Sequence, residues 1–336
     1  MKVVITGGLG FVGLNLARAL LKRGTLTGIS GQQEPIDAIT LFDMAAPPDR
    51  PDQRPDGLDD RVSIVTGDIS DRATVSGLID RDDISVFHLA SILSGGGEKD
   101  FDLALRVNLD GGLNVFEALR ARAGGAQRLV AASSIAVFGG AVMPKTVTDA
   151  TKQTSQTTYG VTKTITELLI NDYSRKGFFD GRSARLPTIF VRPGKANSAA
   201  SSFCSGVFRE PLNGVECVLP VTRAQLPMLG YRNCVASFIG LHEAPASALG
   251  DDRAVNLPSR AYTVEDMVAS VKRVAEKYQI KLGPITTKPD PVIQAIVDGW
   301  ATDASWDRAK ALGLPIDESI DRVVEDYIED FWPSRH

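Results

Sequence analysis

The opening of the chain restricts its fold more than any later stretch. An apolar run at residues 2–6 ends in Thr6-Gly-Gly-Leu-Gly-Phe-Val-Gly13, and from residue 11 to residue 23 the apolar positions recur at helical spacing. A strand, a glycine-rich turn and a helix in direct succession form the start of a βαβ unit. Gly7 permits a tight turn, and Gly10 lets the backbone approach an anion closely. The helix start offers free amides to that anion. Gly7, Gly10 and Gly13, with Phe11 and Val12 between them, therefore meet the context of a dinucleotide-binding fingerprint.

Beyond this point short apolar runs alternate with helix-period segments. Residues 3–6, 39–42, 62–66, 86–90, 128–132 and 183–188 read as buried strands, so the chain is α/β with a Rossmann-type doubly wound parallel sheet. At 336 residues the chain exceeds the usual size of one core, which predicts an appended lobe. The alternation becomes irregular after Pro193, where residues 194–213 are rich in small and hydroxyl side chains. We expect a cofactor domain over residues 1–190, with a returning segment near 225–257, and a smaller C-terminal α/β substrate lobe over 191–336. Residues 24–37, 149–156 and 283–291 read as loops, residues 45–48 as a possible turn, and residues 316–331 as an amphipathic terminal helix.

Composition narrows the partners. A net charge of −4, with basic residues scattered along the chain, gives no field for nucleic acid. Cys204, Cys217 and Cys234 lack CxxC spacing and read as buried thiols of a reducing compartment. His242 and His336 have no ligand-like spacing, so no metal is expected, and His88 sits in an apolar strand as a packing residue. No apolar run reaches membrane-spanning length, and Met1 leads directly into the first strand. The expectation is a cytoplasmic protein without a membrane partner.

Tyr159-Gly-Val-Thr-Lys163 carries the chemistry. Tyrosine and lysine four apart share a helix face, so the ammonium is expected beside the phenol, favouring its ionised form. A tyrosine base working near neutrality needs its pKa depressed by roughly 3 units, or about 4 kcal/mol, for which one ammonium plus a cationic nicotinamide is a plausible source. Ser134 ends an apolar run upstream as a second hydroxyl. Asp43, at the end of the second strand of the alternating pattern, matches the acidic residue that holds the ribose hydroxyls; as a carboxylate it repels a 2′-phosphate and favours NAD over NADP.

TGGLGFVG, Gly67-Asp68-Ile69, His88-Leu-Ala-Ser91, Asn108, Ser133-Ser-Ile-Ala-Val-Phe-Gly139 and the Tyr159–Lys163 motif occur in order along the chain. Together they resemble the extended short-chain dehydrogenase/reductases of the NAD-dependent epimerase/dehydratase type. The resemblance implies adenine contacts from Asp68 and Ile69, a ribose-side wall from Leu89, Ala90 and Ser91, support of the active-site helix by Asn108, and catalysis by Ser134, Tyr159 and Lys163. Lys163 would also hold the nicotinamide ribose. It further implies a homodimer through the helical faces of residues 105–119 and 159–173.

Two departures redirect the substrate. Ser134-Ile135-Ala136 stands where sugar-nucleotide dehydratases carry an acidic pair, and Thr188 replaces an asparagine that often touches a sugar nucleotide. Ser91-Ile-Leu-Ser-Gly-Gly-Gly-Glu-Lys-Asp-Phe101, the 186–194 and 199–206 stretches and Arg209-Glu-Pro-Leu212 resemble a branch of the family that oxidises a four-carbon sugar acid. A small polyhydroxy acid needs a carboxylate clamp and hydroxyl partners, for which Arg192 with Ser94, Thr188, Ser201 and Ser202 are the candidates. The expected reaction is oxidation of its C2 hydroxyl, with Ser134 and Tyr159 on that hydroxyl. An epimerase with the same triad and a non-catalytic NAD sensor are the alternatives.

Overall fold

Strand β1 (Lys2–Thr6) is buried along its whole length and runs through the glycine turn into helix α1 (Phe11–Arg23). The computed structural model describes residues 1–45, 55–122, 124–194 and 199–332; the turn read at 45–48 lies, beyond Ala45, outside them. A short antiparallel hairpin, β2 (Thr25–Thr27) and β3 (Gln33–Pro35), occupies the stretch read as a loop. Next come β4 (Ala38–Asp43), β5 (Val62–Thr66), α2 (Arg72–Leu78), β6 (Ile84–His88), α3 (Ser94–Lys99), α4 (Phe101–Leu105), α5 (Gly111–Arg120) and β7 (Arg128–Ser134). They are followed by β8 (Thr146–Val147), α6 (Thr158–Arg175), β9 (Asp180–Leu186), β10 (Thr188–Phe190), α7 (Phe203–Leu212), β11 (Cys217–Leu219) and β12 (Gln225–Gly230). The remainder comprises α8 (Tyr231–Glu243), α9 (Ala246–Leu249), β13 (Ala254–Asn256), β14 (Arg260–Thr263), α10 (Val264–Lys277), β15 (Ile285–Thr287), α11 (Pro291–Asp298), β16 (Asp303–Ala304), α12 (Asp307–Ala311) and α13 (Ile320–Phe331).

Seven strands form the main sheet in the order β13-β9-β7-β6-β1-β4-β5, with every pairing parallel. Alternation along β1 explains why both faces are covered. Val3 and Ile5 pack with Leu16 and Leu20 of α1 and Phe238 of α8, whereas Val4 packs with Phe116 and Leu119 of α5 and Ile170 of α6. The chain runs from β1 to β4 on one side and later returns to β6 on the other. Ligands of open parallel sheets bind at the carboxyl ends of strands where the order reverses in this way.

The second lobe is built on the sheet β10-β12-β14 and the pair β11–β15, covered by α7, α10 and α13. Phe190, Phe208, Met267, Val271, Val323 and Tyr327 are among its buried core. The stretch 225–257 divides: β12 stays in the small sheet, while α8 packs on α1 and β13 extends the large sheet beside β9. The window read as a loop at 283–291 contains β15, and the terminal helix begins at Ile320 because the Ser319 side chain accepts from the Arg322 amide. A two-residue pairing of β8 with β16, closed by Thr146 Oγ1 donating to Asp303 Oδ2 at 3.0 Å, ties the segment after α11 to the loop beyond β7. Among the described residues no helix is long and apolar enough to cross a membrane.

Candidate active site

Two cavities meet above the carboxyl ends of β1, β6 and β7. The first, of about 740 Å³, is bordered by Gly7, Gly10, Phe11, Val12, Gly13, Asp43, Ile69, Leu89, Ala90 and Ser91. Its floor is tight. A Cβ on Gly7, whose φ is +68°, would lie 2.8 Å from the Ala90 amide nitrogen, and one on Gly13 would lie 2.5 Å from the Gly7 carbonyl. No side chain caps the start of α1, which leaves its first amides for an anion. Asp43 accepts from the Leu9 amide at 3.1 Å and the Met44 amide at 2.8 Å, so it anchors the glycine turn while bordering the cavity. These residues fit a dinucleotide whose diphosphate lies on the turn and whose ribose hydroxyls reach Asp43.

The second cavity, of about 1100 Å³, contains Ser134, Tyr159 and Lys163. Thr157 caps α6 by accepting from the Gly160 amide at 3.1 Å, which sets Tyr159 in the first turn. Asn108 secures the same helix: its Nδ2 donates to Thr162 Oγ1 at 3.1 Å, and its Oδ1 accepts from the Ile92 amide at 2.8 Å. Asn108 borders neither cavity and serves instead to bind the ribose-side loop to α6.

The electrostatics differ from the sequence expectation. Burial pushes the Tyr159 phenol above its usual pKa, against which a hydrogen bond with Ser134 and the charge of Arg192 pull downward. Lys163 Nζ lies 5.6 Å from the centre of the tyrosine ring and is itself pushed down to about 8 by burial, opposed by Glu167. Arg192 is thus a second cation that favours the ionised phenol. The face-sharing argument placed the lysine beside the ring, and burial is the energy that it and the nicotinamide charge have to offset. His88 is a packed, neutral strand residue, with Nδ1 2.8 Å from Thr6 Oγ1 and a pKa pushed down to about 3 by burial.

Ser94, Thr188 and Ser201 border the catalytic cavity, and Arg192 borders both cavities. Ser202, expected at the substrate, borders the cofactor-side cavity alone, because the turn at Ala200–Ser202 sends adjacent hydroxyls to different sides. Asp68 turns into its own loop, accepting from the Ser70 amide and hydroxyl at 2.9 and 2.8 Å, which lowers its pKa; only its neighbours Gly67 and Ile69 border the cavity. Burial disfavours the charge of Arg192, as does the neighbouring Arg209. The three cysteines are free and buried.

Several site residues escaped the sequence reading. Glu98 of α3 accepts from the Thr158 amide at 2.9 Å, fixing the entry to α6. Glu167 is 2% exposed and takes three hydrogen bonds from Arg185, at 2.8 to 3.1 Å, as well as bonds from Ser133 and Gln153. It thereby joins the serine strand, α6 and β9, and its place four residues after Lys163 was a signal available in the sequence. Phe138, Met143, Ile296 and Trp300 form an apolar wall of the catalytic cavity for which no local signal exists.

The model of the NAD-dependent epimerase/dehydratase family matches residues 3–231, and the chain belongs to that family. A D-erythronate dehydrogenase from Cupriavidus necator is 46% identical over 98% of both chains. A second D-erythronate dehydrogenase, from Haemophilus influenzae, is 38% identical over 98% of this chain and 99% of its own. Among solved structures, the nucleoside-diphosphate-sugar epimerase from Agrobacterium tumefaciens superposes with a TM-score of 0.88 at 36% identity, covering 98% of this chain and 94% of its own.

Proposed function

We propose that the protein oxidises the C2 hydroxyl of a small sugar acid with NAD, D-erythronate to 2-dehydro-D-erythronate being the preferred pair. The observation that carries this reading is Arg192: a partly buried guanidinium that borders both cavities and shares the catalytic one with Ser134 and Tyr159. Such a group is completed by a carboxylate from outside, which it grips through two parallel hydrogen bonds. Both D-erythronate dehydrogenase relatives support the choice of acid.

Gly7, Gly10 and Gly13 would hold the diphosphate of the dinucleotide, Asp43 a ribose of its adenosine end and Lys163 the nicotinamide ribose. Bound NAD would supply a two-electron acceptor and the positive charge of its nicotinamide. Arg192 holds the C1 carboxylate and so brings the C2 hydroxyl to Ser134 and Tyr159. Ser134 orients that hydroxyl, and the Tyr159 oxygen, in its ionised form, takes its proton as the C2 hydrogen leaves with its electron pair. Acid–base help of this kind contributes about 100- to 10,000-fold.

The assay is NADH formation followed optically with D-erythronate and a panel of C4 to C6 aldonates and uronates. Expected is net NADH with D-erythronate preferred; no net NADH with any of the acids would overturn the reading. The likeness to the nucleoside-diphosphate-sugar epimerase from Agrobacterium tumefaciens keeps one competitor, an epimerase, which returns the hydride to its substrate and gives no net NADH. We further propose a homodimer, because Val161, Ile165 and Leu168 line one exposed face of α6 and Phe101 is exposed on α4. Light scattering in solution measures it. Three free buried thiols support a cytoplasmic setting.

A further inference from the structure

Two guanidinium groups stand where the cavities meet. Arg192 borders both, whereas Arg209 of α7 borders the cofactor-side cavity alone. Arg209 is 7% exposed. Its Nη1 donates to the Arg192 carbonyl at 2.9 Å, and its Nη2 donates to Glu210. A guanidinium carries five N–H donors, so these contacts leave others to serve the cavity. Ser202 and Ser205 border the same cavity from the same lobe. Ser205 Oγ accepts from the Arg192 amide at 3.1 Å, while Ser202, although at the entry to α7, makes no capping hydrogen bond. The glycine turn and the uncapped start of α1 border this cavity too. An anion in this space meets both backbone amides and a buried fork of donors.

We infer that Arg209, assisted by the Ser202 hydroxyl, is the second lobe's half of a diphosphate site, holding the cofactor together with the glycine turn. The inference rests on the reading of this cavity as the dinucleotide site. It gives the second lobe a role in cofactor binding that neither the fingerprint nor the family description assigns. Because the same guanidinium holds the Arg192 carbonyl, fixing it on the diphosphate also fixes the backbone that carries the carboxylate clamp.

Calorimetric titration of the full chain with NAD, ADP-ribose and adenosine tests this without reference to turnover. In Arg209→Met the affinity for NAD and ADP-ribose is expected to fall about 10- to 100-fold, the size of a lost charge-assisted hydrogen bond, with adenosine within twofold of wild type. Arg209→Lys keeps the charge without the fork and is expected to lie between. Ser202→Ala, which removes one half-buried hydroxyl, is expected to lose a few-fold for the diphosphates only, and it carries the test if the Arg209 variants fail to fold by circular dichroism. Unchanged ADP-ribose affinity in folded Arg209→Met, or in Ser202→Ala where that variant carries the test, overturns the inference, as does an equal loss for adenosine, which marks a change of cavity shape. Wild-type protein that binds neither NAD nor ADP-ribose overturns the dinucleotide reading itself.

Discussion

The two cavities are neighbours, yet they are made in different ways. Most of the cofactor-side cavity comes from the first half of the chain, with the glycine turn lying between one strand and the helix that follows it. The catalytic cavity takes its walls from α3, the loop after β7, α6, the segment after β9 and α11, which are spread over some two hundred residues of chain. A site built by contiguous residues is fixed by local backbone geometry. A site built by distant segments is fixed by packing, and its specificity can change without touching the fold.

The sharpest test of that division is Tyr159→Phe. Removing one oxygen from the catalytic cavity leaves the cofactor cavity intact, so kcat/KM is expected to fall by about 100- to 10,000-fold while the NAD dissociation constant stays within a few-fold. Steady-state kinetics and calorimetric titration give the two numbers. Comparable losses in both would mean that the cavities are not separable.

Arg192→Met comes next, and it probes the residue that borders both cavities. Loss of a charge-assisted pair is expected to raise KM for the acid about 10- to 100-fold, with a smaller effect on kcat. A loss confined to kcat would place the guanidinium on the reacting oxygen rather than on the carboxylate.

The same contrast decides what the sequence could reveal. Gly7, Gly10, Gly13 and Asp43 were legible because a turn, a helix start and a strand end obey local rules, and six of the seven strands of the main sheet follow from apolar runs alone. Ser201 and Ser202 were read together as substrate ligands, yet the turn carrying them divides them between the cavities, which adjacency in sequence cannot express. Ile296 and Trp300 reach the catalytic cavity because β16 pairs with β8, a two-residue contact between strands more than 150 residues apart. The burial of Tyr159 and Lys163 was hidden for a related reason: spacing sets who is near whom, whereas the desolvation that raises the phenol and lowers the ammonium depends on the folded surroundings.

Asp43→Ala acts on the contiguous site and should show a smaller effect. It removes a carboxylate that borders the cofactor-side cavity, where it is expected to repel a 2′-phosphate, and the acceptor of the Leu9 amide. NAD affinity is expected to weaken several-fold and the preference for NAD over NADP to narrow by about tenfold, the equivalent of about 1.4 kcal/mol. Titration with both dinucleotides measures it, and an unaltered preference would move the source of discrimination elsewhere.

The last test bears on stability. Lys163 is 4% exposed and its pKa is pushed from 10.5 to about 8, so folding disfavours its charged form. Below about pH 8 both folded and unfolded chains carry the proton and the full penalty stands, with an upper bound of about 3 kcal/mol. Between about pH 8 and 10.5 the unfolded chain binds the extra proton, so this group's contribution makes stability rise with pH across that window. Lys163→Met removes the penalty: the melting temperature of the protein is expected to rise by a few degrees at pH 7, with the gain fading toward pH 10, while turnover is lost. A variant less stable than wild type at pH 7 would show that the ammonium is held by the site rather than tolerated in it. The catalytic cavity would then be as firmly fixed by its own contacts as the glycine turn is by its backbone.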